Sequence, residues 1–186
     1  MVVSPVGVAV LAAAEPQGIG DMTALRILKH LLYGRLQVLR RFPPSTMVTI
    51  KEAIRQSEAN HMGELRFAVE AALDWRDLLR GVTPHERAIE MFSQLRVWDT
   101  QHNSGVLIYL LLADRRVEIV ADRGIHERVG EQGWRAICSE MEHAFRSGNF
   151  ELGAVTGINR ISALLAQHFP AQEANPNELS DAPVIL

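Results

Sequence analysis

An α/β sandwich is the fold class this sequence predicts, and three features predict it. Residues 106–113 form an unbroken apolar run containing Ile108 and Tyr109, the composition of a strand covered on both faces. The polar turn Ala113-Asp-Arg-Arg116 separates it from a second β-rich run, residues 117–121, so the two make an antiparallel hairpin. Upstream, residues 64–73 alternate, with Leu65, Phe67 and Val69 on one face and Glu64, Arg66 and Glu70 on the other. A helix between that strand and the hairpin is long enough for a parallel crossover, giving a βαβ unit followed by an antiparallel hairpin strand.

Taken in order, residues 1–14 have the apolar character of a weak signal segment, but they lack a positive leading region and are interrupted by Pro5 and Gly7. They show neither periodicity nor turn logic, which makes Met22 an alternative start to Met1. Residues 22–41 read as one basic amphipathic helix with Leu25, Leu28, Leu32, Leu36 and Leu39 at helical spacing among Arg26, Lys29, Arg35 and Arg40. Such a helix either packs its leucines on the domain or lies on an anionic membrane or a partner. Pro43 and Pro44 end it, and Ser45 or Thr46 caps a helix over about 47–60. Thr83-Pro-His-Glu86 is a capping box that opens the crossover helix, which runs to about Leu95. Two further helices are predicted over 130–146 and 150–168. The remaining polar residues, 171–186, are expected to be disordered or draped on the surface. The domain proper is therefore 46–170, preceded by an N-terminal extension, 1–45, that carries the basic helix.

At 186 residues and 47% hydrophobic content, the chain is sized for one domain with a substantial core. A net charge of -3 gives no reason to expect nucleic acid. The charge is uneven: five cations against Glu15 and Asp21 leave residues 1–45 at +3, and the rest at -6. Cys138 is the single cysteine and falls among Trp134, Ile137, Met141 and Phe145 at helical spacing, so core packing is expected. The cysteine usage and the absence of an apolar run long enough to span a bilayer favour a cytoplasmic protein, peripheral to the inner membrane if the basic helix binds lipid.

Walker loops, dinucleotide fingerprints, nucleophile elbows and zinc-protease motifs are absent from the sequence. The predicted topology instead gathers oxygen ligands at one end of the sheet. Asp99, His102 and Asn103 enter the first hairpin strand where Asp122 and Arg123 leave the second, and Glu58 and Glu64 arrive at the same edge. Hard oxygen donors suit Ca²⁺ or Mg²⁺, and Glu58, Glu64, Asn103 and Asp122 are the candidate ligands. Asp122, Arg123 and Asp99 are the candidate catalytic residues, with Arg123 as a clamp for phosphate oxygens. The plain alternative is that Asp122-Arg123-Gly124 is only a turn and that Arg66 pairs with Glu70 or Glu118. Asp114 and Arg115 at the hairpin turn, together with His102, are secondary candidates.

The segments EANHMGE (58–64), RAIEMF (87–92), NSGVLIY (103–109), Asp114-Arg115, DRGI (122–125) and FRSG (145–148) with Gly153 resemble, in this order, the TPM domain family. The family's usual Asn-Gly-Val-Leu run here carries Ser104 between Asn103 and Gly105. The resemblance covers about residues 47–170 and implies a three-layer α/β/α sandwich around a small mixed sheet, with the N-terminal amphipathic helix as an addition. For some members it implies acid phosphatase activity or calcium binding. Two functions follow: a weak metal-assisted phosphomonoesterase, or a non-catalytic Ca²⁺-binding interaction module tethered to a membrane or protein partner through the helix from Met22 to Arg41.

Overall fold

The computed structural model describes residues 8–11, 22–171 and 177–186. Three long strands, β2 (Glu64–Glu70), β3 (Gly105–Leu111) and β4 (Arg116–Asp122), make the centre of a mixed sheet. β2 pairs in parallel with β3, and β3 antiparallel with β4, as the hydrophobic pattern predicts. Two short strands complete the order β1-β4-β3-β2-β5. β1 (Val8–Leu11) lies antiparallel to β4, in a stretch where the sequence offered no pattern. β5 (Val184–Ile185) lies parallel to β2, so residues 177–186 run along that edge.

Helices cover both faces because the central strands are apolar on both. On one face α3 (Pro44–Glu58), α6 (Arg123–Arg146) and α7 (Phe150–His168) cover Leu65, Phe67, Ile108, Leu110 and Ile119. On the other, α4 (Trp75–Leu79) and α5 (Pro84–Gln94) cover Ala68, Leu107, Tyr109 and Val120. This is a three-layer α/β/α sandwich. Thr83 and Glu86 form the capping box of α5 in both directions. Cys138 is buried against the first face, and burial pushes its thiol well above the ordinary range.

Three local expectations are corrected. Pro43 is the N-cap of α3, which begins at Pro44, while Thr46 lies inside the helix and donates to Glu151 at 2.7 Å. The helix predicted from Gly130 is preceded by a further helical stretch from Arg123 that the pattern did not show; Gly130, at φ 71° and ψ 168°, is the non-helical kink between the two parts of α6. The predicted single helix over 22–41 is two, α1 (Met22–Leu32) and α2 (Arg35–Arg41), separated at an extended Gly34. The break has a packing cause: Ile27 of α1 packs on the α4/α5 face, whereas Val38 of α2 and Phe42 are buried on the opposite face. The chain thus crosses from one layer to the other around the hairpin-turn end of the sheet.

That crossing is fastened by the turn itself. Asp114 accepts from Arg26 at 2.9 Å and from His30 Nε2 at 3.0 Å. Leu73 N–H donates to His30 Nδ1 at 2.9 Å, so the buried imidazole bridges main chain and carboxylate. Hydrogen bonds from His30 and Arg26 hold the Asp114 carboxyl below its ordinary range against the burial that would raise it.

Candidate functional site

Register places Glu64 opposite Gly105, and Val106 opposite Ala121, so Glu64 and Asp122 do end at the same edge. They are two strands apart, about 10 Å at the main chain, and the structure gives them separate surroundings.

The first group lies on the outer side of β2, under the C-terminal residues. Glu64 is almost fully buried and accepts from the main-chain N–H of Glu178 (3.2 Å) and Leu179 (3.0 Å). Burial pushes its carboxyl above the ordinary range against those two hydrogen bonds. Glu58 accepts from Leu65 N–H at 3.4 Å and shares a side-chain hydrogen bond with Asp181. Burial, then the charges of Glu64 and Asp181, push Glu58 up to about 8. Arg66 donates to the Ser180 carbonyl, and the expected Arg66 pairs with Glu70 or Glu118 do not form. Glu70 is held instead by Arg87 (2.9 and 3.0 Å) and Tyr109 (2.5 Å), and Glu118 by His85 at 3.3 Å. His61 is fully buried, donates from Nδ1 to the Gly63 carbonyl at 2.9 Å, and is lowered to about 4 by burial.

The second group surrounds the start of α6. Asp122 is 4% exposed and caps the helix, with Oδ1 accepting from Arg123 N–H at 2.7 Å. Its Oδ2 is buried with no hydrogen-bond partner among the described residues. Burial raises this carboxyl above its ordinary range, opposed by Arg123. The alternative reading of residues 122–124 as a plain turn is thereby replaced by a helix start. Arg123 is exposed at its first position. The connection from α5 to β3 brings Asp99, His102 and Asn103, all exposed, to this corner. Asn103 takes a left-handed conformation, φ 50°. A Cβ on Gly124 would stand 2.6 Å from the Asn103 carbonyl oxygen and 3.1 Å from that of His102, so only glycine lets the loop approach α6 this closely.

Among the described residues, no three His, Cys, Asp or Glu side chains converge as a metal site. Glu58 and Glu64 are engaged around the C-terminal residues, so a cation at the corner would have Asp122, Asn103 and loop carbonyl oxygens as its donors. That set suits a hard ion, and a single carboxylate places it at the weak end of calcium affinities. Of the secondary candidates, Asp114 is committed to Arg26 and His30, whereas Arg115, at φ 53°, faces a groove with Arg41 and Arg146. Sequence reasoning missed Arg26 and His30, whose helical spacing beside the leucines concealed an inward polar role. It also missed Glu178 and Asp181; the β-branched Val184-Ile185 pair was the available signal that the tail joins the sheet.

These features define an α/β/α domain with a buried aspartate at the mouth of its central hairpin. The TPM domain model matches residues 41–164, and the chain belongs to that family. Among solved structures, the chain is similar to the BA42 protein of the psychrophilic bacterium Bizionia argentinensis, determined by NMR, with a TM-score of 0.68 and 29% identity. The match covers 76% of this chain and 93% of that one. A search of curated proteins returns no match.

Proposed function

We propose that this TPM domain is a weak phosphomonoesterase whose working site is the Asp122 corner. The observation that carries the reading is the Asp122 carboxyl: nine-tenths buried, with one oxygen unpartnered, beside an exposed arginine and a loop held close by Gly124. Arg123 supplies a guanidinium for phosphate oxygens. Burial keeps a proton on Asp122 to higher pH than on an ordinary aspartate, which suits donation to a leaving oxygen under mildly acidic conditions. Asp99, on the same loop as Asn103, is the second acid available to the corner. Ca²⁺ or Mg²⁺, when bound by an ionised Asp122 with Asn103 and loop carbonyls, would displace that carboxyl's proton, neutralise phosphate charge and polarise the phosphoryl group, leaving Asp99 as the proton donor.

The test is turnover of a chromogenic phosphomonoester from pH 5 to 8 with Ca²⁺, Mg²⁺ or chelator. Asp122→Asn is expected to lower kcat about 100-fold. Activity that survives this change intact removes the corner from the chemistry.

A further inference from the structure

Half of the large apolar side chains that remain exposed among the described residues lie in one stretch of fifteen. Leu25, Leu28, Leu31, Leu32, Leu36 and Leu39 are 38–77% exposed, six of twelve such residues. The sequence pattern left these leucines either packed on the domain or turned outward to a membrane or partner. Ile27, His30, Val38 and Phe42 face inward, and the leucines face out along α1 and α2. Large apolar side chains exposed at this density along one stretch of chain mark an interaction surface.

The charges around it say what covers it. Between Asp21 and Glu52 the chain has no acidic residue. Lys29, Arg35 and Arg40 are exposed beside the leucines. The inner side of α2 walls a groove of about 250 Å³ where Arg41 meets Arg115 and Arg146. The carboxylates nearest this end are engaged: Asp114 by Arg26 and His30, Glu142 by Arg116 and Arg146. α4, in contact with α1, balances Asp74 and Asp77 with Arg76 and Arg80, and adds exposed Trp75 and Leu79. Leucines flanked by cations, with an aromatic ring at the margin, match the chemistry of an anionic bilayer surface. A second copy of the same cationic face would meet it with like charge.

We propose that the hairpin-turn end of the sandwich docks on anionic phospholipid bilayers through the α1–α2 leucines. This surface is independent of the Asp122 corner, which lies at the other end of β4, about 20 Å away. The clasp of Asp114 on Arg26 and His30 holds α1 in place for docking, and the extended connection at Gly34 leads the chain on into α2.

The experiment is sedimentation of the full chain with phosphatidylglycerol-containing vesicles and with pure phosphatidylcholine vesicles, alongside light scattering of the free protein. Binding to the anionic vesicles alone is expected. The double change Leu28→Glu and Leu32→Glu should weaken it more than 30-fold. Replacing Lys29, Arg35 and Arg40 by glutamine should weaken it about 100-fold, at about fivefold for each cation. Leu152→Ser, an exposed leucine on α7, should leave it unchanged, with circular dichroism establishing that every variant is folded. Equal binding to both vesicle types overturns the proposal, as does equal loss on Leu152→Ser. Failure to bind overturns it too, including the case of a dimer dispersed by the Leu28 and Leu32 changes, which would assign the face to a second copy.

Discussion

Replacing Glu58 by glutamine should make the protein more stable in alkaline solution while leaving it nearly unchanged at pH 4. Glu58 is raised from the ordinary 4.5 to about 8 by burial and by Glu64 and Asp181. The folded state therefore holds this proton more tightly than the unfolded chain. That contribution to stability is fully present below about pH 4.5 and is lost as the pH rises through about 8. At about 1.4 kcal/mol per pH unit the ceiling is about 5 kcal/mol. Glu58 is partly open to water, and solvent screening reduces the effect to about 2 kcal/mol. Glutamine keeps an acceptor for Leu65 N–H and a donor for Asp181 without the charge. Urea titrations at pH 5, 7 and 9 measure it: wild type should lose about 2 kcal/mol more than Glu58→Gln across that range. Parallel pH profiles for the two proteins would refute the argument.

Asp114→Ala strips the shared carboxylate from Arg26 and from the buried His30, and should cost about 2 kcal/mol, with protease cleavage first appearing near α1. The carboxyl of Asp114 is lowered, so its contribution is present above the ordinary carboxylate range and fades in acid; the stability gap between wild type and Asp114→Ala should close as pH falls through that range. Gly105→Ala sets a Cβ onto the Val97 carbonyl oxygen, main chain that cannot retreat like a side chain, and should cost about 3 kcal/mol by thermal denaturation. Cys138 should resist thiol reagents in the native protein and react at once in denaturant, since its thiol is buried and raised.

The central hairpin, the parallel crossover and the capping box were legible because each is written locally: apolar runs of strand length, a polar turn, and Thr83-Pro-His-Glu86. Asp122 and Asn103 were placed correctly at one edge by strand direction alone, because pairing direction fixes which ends meet. What periodicity could not say was which side of α1 and α2 faces the core. Five leucines outweigh one histidine in any hydrophobic count, but His30 is the side chain that can satisfy both Leu73 N–H and Asp114. Likewise, nothing in strand spacing separates Glu64 from Asp122. That separation comes from residues 178–181, more than a hundred positions beyond Glu64, which engage its carboxylate and leave that of Asp122.

The two short strands at the margins of the sheet limit how the protein can be recognised. β1 has four residues and β5 only two, yet between them they lie against the outer sides of β4 and β2. A peptide that binds by adding a strand needs a long row of free main-chain donors and acceptors, and among the described residues neither marginal strand is long enough to present one. Side chains and helix faces are therefore the surfaces the described residues offer to other molecules, and a change that dislodged β5 would add β2 to them as an adhesive edge.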